Sequence, residues 1–127
     1  MKYLLDTHAL IWFLQNDDRL SVQIRTIIEN NKDVYISIVS LWEIAIKLSI
    51  QKLTLTNKTL EDMFNACREK DFSILNITPE HIKYIIDLPF IHRDPFDRML
   101  ISQAKIEDMT LITCDQHIPQ YPIKTVW

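Results

Sequence analysis

The chain reads as an α/β protein, a three-layer α/β/α arrangement around a central, mostly parallel sheet of four to five strands. Three observations predict this. Short apolar runs of strand length alternate with segments whose apolar residues recur at helical spacing. Two proline-marked helix starts, Thr78-Pro79 and Asp94-Pro95, fall between those runs. The 127 residues, 47% apolar and 24% charged, have the size and mix of one globular domain over residues 1–127 that builds its core without disulfides or a structural metal.

Lys2 to Leu5 is an apolar run cut off at Asp6, the profile of a buried strand, and a helix follows from His8 to Gln15. Asn16-Asp17-Asp18 is a turn. Ser21 caps the next helix, in which Ile24, Ile27 and Ile28 share a face. Val34 to Ile38, β-branched and aromatic, is the second strand, and Val39 to Ile50 is helical with Leu41, Ala45 and Leu48 on one side. Leu60, Met63, Phe64 and Cys67 stripe a helix over Lys58 to Lys70. Ser73 to Ile77 is the third strand, and a helix from Pro79 stops before Pro89. Another runs from Pro95 to about Asp108, Leu111 to Thr113 is the fourth strand, and Ile123 to Val126 is a short edge strand. Strands separated by helices pair in parallel, with helices on both faces of the sheet.

Composition removes several function classes. Fourteen basic against seventeen acidic residues give a net charge of −3, unlike proteins that hold nucleic acid by bulk charge. There is no glycine, which excludes the P-loop and the dinucleotide fingerprint. Met1 to Asp6 lacks the apolar core of a signal peptide and no run is long enough to span a membrane, so a cytoplasmic protein away from the membrane is expected. Cys67 and Cys114 form no C-x-x-C pair and are expected to be reduced thiols.

The acids carry the functional signal. In an open parallel sheet, ligands bind beyond the carboxyl ends of the strands. Asp6 follows the first strand and Asp115 the fourth, while Glu43 and Asp97 lie in the first turns of helices that begin at the same edge. Four carboxylates gathered there repel one another and raise some of their pKa values. A divalent cation removes that penalty, and an oxygen-rich site selects Mg²⁺ or Mn²⁺. Each acid also has a local explanation. Asp6 and Asp94 suit helix caps, Ser40 to Glu43 fits a capping box, Glu43 and Lys47 an i, i+4 pair, Asp97 the helix dipole, and Asp115 a turn. Their joint placement is what favours a site.

The other reactive residues read as structural. His8, His81, His92 and His117 lack metal-ligand spacing and are expected on the surface or in packing. Ser40 and Ser102 have no nucleophile elbow, and Trp12, Trp42 and Trp127 read as core or interface anchors. Cys114, beside Asp115, is a candidate for oxidation near the site.

Four blocks in order complete the reading: Leu4-Leu5-Asp6-Thr7-His8, Ser37-Ile38-Val39-Ser40-Leu41-Trp42-Glu43-Ile44, His92-Arg93-Asp94-Pro95-Phe96-Asp97-Arg98 and Thr113-Cys114-Asp115. Together they resemble the PIN-domain family, and within it the VapC-type toxins of bacterial toxin–antitoxin pairs. The resemblance implies a compact nuclease that cuts RNA with Mg²⁺ or Mn²⁺, a small antitoxin partner that blocks the site, and a homodimer. It matches Asp6, Glu43, Asp97 and Asp115 to an acidic metal-binding quartet, and Thr7, Ser40 and Thr113 to the hydroxyls beside it. Asp94 is an extra acid, either a supporting group or only a cap.

Phosphodiester hydrolysis suits these residues on chemical grounds. Asp6, Asp97 and Asp115 are assigned to the metal, and Glu43 either joins them or orients the attacking water. Arg93 and Arg98 suit substrate phosphate, although ion pairing with Asp94 and Asp97 explains them equally. The helix over Lys58 to Lys70 is a candidate antitoxin or dimer surface. The alternatives are a phospho-receiver or a non-catalytic binding module. A receiver needs paired acids after its first strand and an acceptor near Ile77, and neither is present. A haloacid-type phosphatase would need an acid at His8.

Overall fold

A computed structural model describes residues 1–127. Five parallel strands form one sheet: β1 (Tyr3–Leu5), β2 (Val34–Ser37), β3 (Ser73–Leu75), β4 (Thr110–Ile112) and β5 (Lys124–Val126), in the order β3-β2-β1-β4-β5. Six helices connect them: α1 (Thr7–Leu14), α2 (Val22–Asn30), α3 (Ile38–Ser49), α4 (Leu60–Glu69), α5 (Pro79–Tyr84) and α6 (Pro95–Ile106). The expected three-layer α/β/α fold is present, with all strand pairs parallel.

β1 is central because both of its faces are apolar. Leu4 and Leu5 point to opposite sides of the sheet and are both fully buried. Leu5 joins α1, α2 and α4 through Leu10, Ile24 and Met63, while Leu4 joins α6 through Leu100 and Ile101. Leu5 registers with Ile36 of β2 and Ile112 of β4, so all three inner strands end at one level. Connections from β1 run outward to β2 and β3 and then return to β4 and β5. The strand order therefore reverses between β1 and β4, and in open parallel sheets it is the carboxyl edge at such a reversal that binds ligands.

Most helix starts follow the sequence. Ser21, Thr59, Thr78 and Asp94 all cap with their side chains. The start of α3 differs. Ser37 is the cap, accepting from the Val39 N–H, and Ile38 belongs to the helix rather than to the strand. Ser40 therefore lies inside the helix, and no capping box joins it to Glu43. The Glu43–Lys47 pair is present at 2.8 Å.

The helix ends show how a chain without glycine turns. After α1, α3, α4 and α6 the backbone enters the left-handed region at Asn16, Gln51, Asp71 and Asp108. Each of the four ends is closed by the same pair of hydrogen bonds. After α1 these are Asn16 N–H to Phe13 O and Asp17 N–H to Trp12 O, and after α3 they are Gln51 N–H to Leu48 O and Lys52 N–H to Lys47 O. Asp71 and Phe72 repeat the pair after α4, as do Asp108 and Met109 after α6. Asn and Asp tolerate this conformation through their short polar side chains, whereas Gln51 bears its steric cost. Replacing Gln51 by Gly is expected to stabilise the protein by about 0.5–1 kcal/mol, read as a higher urea midpoint with an unchanged slope.

Candidate active site

The acids lie around this carboxyl edge, Asp6 and Glu43 near enough for their charges to act on Asp97. Asp6 leaves β1 and its N–H bonds to Ile112 O of β4 at 3.0 Å. It then caps α1, accepting from the Ala9 N–H at 2.8 Å. The Asp6 carboxyl is buried, and burial raises its pKa although the Thr113 hydroxyl, the Ala9 N–H and the charge of His8 oppose the rise. Glu43, one turn into α3, is also buried. The Thr7 hydroxyl donates to Glu43 Oε1 at 2.6 Å and contacts Ser40 Oγ at 3.1 Å, while Lys47 holds Oε2. Thr7 and Ser40 thus fix Glu43 relative to the start of α1.

Asp97 enters from the opposite layer, in the first turn of α6. Its carboxyl is pushed up to about 7. Burial is the main cause, followed by the charge of Asp94; Glu43 and Asp6 add to the rise and His92 opposes it. Asp115, after β4, behaves differently. Burial pushes its carboxyl up, but the His117 N–H and His92 together outweigh burial and hold it below the ordinary range. Thr113 Oγ1 accepts from the Asp115 N–H at 3.1 Å, and Asp115 Oδ1 accepts from the His117 N–H at 2.8 Å. Asp115 therefore opens a turn and faces the site at once. Asp94 Oδ1 accepts from the N–H groups of Phe96 and Asp97, which makes it the cap of α6.

His92 was expected on the surface or in packing, but it belongs to this cluster. Its Nε2 lies 3.1 Å from Asp97 Oδ2 and 2.9 Å from Asp115 Oδ2. One ligand atom from each of His92, Asp97 and Asp115 can be chosen so that all three lie within 4.8 Å of one another. No local spacing signals this, because Asp115 is 23 residues further along the chain.

Arg98 does not reach the site. Its guanidinium is buried under α6 and donates to the carbonyls of Pro89 and His92 and to the Tyr121 hydroxyl, with longer contacts to the Ile85 and Leu88 carbonyls. The segment between α5 and α6 turns its carbonyls inward, and a five-donor fork satisfies several of them at once. Both phosphate binding and ion pairing with Asp94 or Asp97 are overturned for this residue. Arg93 is exposed and has no ion-pair partner.

The other expectations sort cleanly. Trp42 and Trp127 lie at the surface rather than in the core, with Trp42 edge-on to Phe96, and Trp12 of α1 packs partly buried against the core. His8 and His117 are exposed, whereas His81 is buried between the Thr78 N–H and Glu107. Both cysteines are free. Burial and the charges of Asp6 and Asp115 push the Cys114 thiol up, which disfavours the reactive thiolate.

In sequence, residues 3–124 match the PIN domain profile. The chain belongs to the PIN domain family. No curated protein matches it in sequence. Its fold is that of several solved PIN-like structures. It aligns with a chain of VapBC2 from Rickettsia felis, bound to a DNA fragment from their promoter, with a TM-score of 0.74 and 17% identity over 99% of this chain and 98% of that one. DNA-bound VapBC from Salmonella typhimurium gives 0.71 and 17%, covering 99% and 97% of the two chains. FitAcB from Neisseria gonorrhoeae gives 0.67 and 16%, covering 98% and 96%. No helix of this PIN domain is long and apolar enough to cross a membrane.

Asp97 makes the site costly for the fold. Its native pKa of about 7 lies above the unfolded value near 3.8, so the native state holds an extra proton between those limits and loses stability as pH rises through that window. Asp97→Asn removes the charge. In EDTA, its stability advantage over the parent is expected to grow between about pH 4 and pH 7 towards a ceiling of about 4 kcal/mol, read as a higher melting temperature. Equal melting temperatures at pH 8 would show that the carboxylate is not strained.

Proposed function

We propose that this PIN domain is a Mg²⁺- or Mn²⁺-dependent endoribonuclease, the toxin of a VapC-type toxin–antitoxin pair. The observation that carries the proposal is the state of Asp97, a carboxyl raised to about 7 by burial beside Asp94, Glu43 and Asp6. Only Lys47, bound to Glu43, brings a lysine or arginine charge into contact with these acids. Such a donor set, rich in carboxylate oxygen and short of neutralising charge, fits a hard divalent cation. Asp6, Asp97 and Asp115 would hold it.

When bound, the cation would lower the pKa of a water and neutralise charge developing on the phosphate. The chain's own residues supply the positioning. Glu43, its oxygens fixed by Thr7 and Lys47, orients the attacking water. Thr113 shapes the turn that presents Asp115, Asp94 starts α6 so that Asp97 faces the site, and Ser40 supports Thr7. Arg93, exposed and unpaired beside His92, contacts substrate phosphate.

The partners follow the same reading. The neighbours VapBC and FitAcB support a small antitoxin as the protein that masks the site. An apolar groove of about 240 Å³ between α3, α4 and β3, lined by Ile38, Leu41, Phe64, Cys67, Phe72 and Ile74, would seat part of it. Exposed Trp42, Ile82, Ile86 and Phe90 offer apolar surface for a homodimer. A cytoplasmic location fits an enzyme that acts on cellular RNA.

The purified protein is expected to cleave single-stranded RNA with Mg²⁺ or Mn²⁺ and to stop in EDTA. Asp6→Asn and Asp97→Asn should each slow cleavage by about a thousandfold with an unchanged circular dichroism spectrum. Cleavage that persists in excess EDTA would overturn the proposal. Because ion and proton compete for Asp97, calorimetric Mn²⁺ affinity should fall about tenfold per pH unit below about 7 and level off above it.

A further inference from the structure

His92 is held more completely than any other side chain in the site. Its backbone N–H donates to the Tyr121 hydroxyl at 2.7 Å, and its carbonyl accepts from the Arg98 guanidinium at 3.3 Å. Arg98 also donates to the Tyr121 hydroxyl, so one buried buckle fixes the backbone on both sides. On the ring, Nδ1 accepts from the Asp94 N–H at 3.1 Å. Nε2 faces Asp97 Oδ2, from α6, and Asp115 Oδ2, from the loop after β4. The His117 ring lies nearly perpendicular to the His92 ring, with the ring centroids 6.0 Å apart.

The Asp94 contact decides the tautomer. A backbone N–H only donates, so Nδ1 must present its lone pair. The ring proton is then on Nε2, pointing between the two carboxylates. A histidine that binds a metal through Nε2 needs the opposite arrangement, with the proton on Nδ1. Here that proton would meet the Asp94 N–H head-on.

We infer that His92 is a positioning residue, whose Nε2–H draws the Asp97 and Asp115 carboxylates to one point and which does not itself bind the cation. The inference rests on the proposed metal-dependent reading and adds to it the means by which an acid of α6 and an acid of the loop after β4 reach a common distance. A donor shared between the two carboxylate oxygens holds them at a common distance, and the Nε2–H does this without taking a coordination place. The donor set therefore stays all oxygen, which favours Mg²⁺ and Mn²⁺ over zinc. Asp94 gains a second task, since its N–H selects the tautomer while its carboxylate caps α6.

Nitrogen-15 spectra of the imidazoles, recorded with and without Mg²⁺, test the tautomer in the unaltered protein. Mn²⁺ binding followed by electron paramagnetic resonance tests the role. The His92 Nε2 signal is expected to remain of the protonated type after Mg²⁺ is added. His92→Ala should weaken Mn²⁺ binding about 10–100-fold. His92→Gln, which returns an amide N–H near the Nε2 position, should recover most of that loss. An Nε2 signal that turns to the unprotonated type on Mg²⁺ addition would overturn the inference, as would an alanine variant that binds Mn²⁺ as tightly as the parent. Failure of the parent itself to bind Mn²⁺ would overturn the metal-dependent reading and this inference with it, a result read before any variant is made.

Discussion

The withdrawal of carboxylates from water, sharpened at Asp97 by the charges of neighbouring acids, is the constraint around which this site is organised. Asp6, Glu43 and Asp97 converge on the carboxyl edge from three different helices, and Asp115 joins them from the loop after β4. Removed from water, such groups destabilise the folded state unless each is tied to a donor. The ties come from elsewhere in the fold: Ala9 N–H for Asp6, Thr7 and Lys47 for Glu43, the imidazole for Asp97, and His117 N–H with the imidazole for Asp115. Asp97 is the least compensated, and its raised pKa records the remaining strain. The hydrophobic core supplies the stability against which this cost is set, through Leu4 and Leu5 on the two faces of β1.

A second layer of polar contacts keeps the segment that precedes α6 from relaxing away from the site. Between α5 and α6 the chain has little regular structure, yet it delivers His92 and Asp94. Arg98 and Tyr121 substitute for secondary structure there. The guanidinium collects carbonyls from Leu88 to His92, and the phenol accepts the N–H groups of Ile91 and His92. Removing one partner would strand several buried backbone groups, each worth about 1–3 kcal/mol when unsatisfied. The residue that looked suited to phosphate is therefore structural, and it acts on the site only through the loop it fastens.

The distinction between what could and could not be read from the sequence follows the range of the interactions. The alternation of strands and helices is written in local periodicity, and Ser21, Thr78 and Asp94 cap as their neighbours suggest. Asp6 and Asp115 were placed at one edge because a parallel sheet puts all strand ends together. Ile38 was read as strand because it is β-branched, whereas the cap belongs to Ser37 and the helix begins there. That one-step shift moved Ser40 from a cap to the hydroxyl beside Thr7. The roles of His92 and Arg98 are not legible in the sequence for a common reason: a histidine or arginine carries no sign of which carboxylate or carbonyl the folded chain will bring to it. The absence of glycine was visible, but not its consequence, that Asn16, Gln51, Asp71 and Asp108 take the left-handed positions.

Net acidity and an RNA substrate are compatible once the cations are located. Several of the basic residues serve the protein itself: Arg98 is enclosed, Lys47 holds Glu43, Arg19 pairs with Asp17, and Lys124 with Asp108. Near the acids themselves lie the exposed His8, whose charge reaches Asp6, and His117, whose charge reaches Asp115, while Arg93 is exposed and unpaired one residue after His92. A surface of that kind does not concentrate polyanions by long-range attraction, because few counterions would be released on binding. Recruitment would instead depend on the cation held by the acids, the same charge that relieves their repulsion. Under the proposed function the net negative charge would then work as selectivity, repelling phosphate chains where that ion is missing and admitting them only where the sign of the field is reversed.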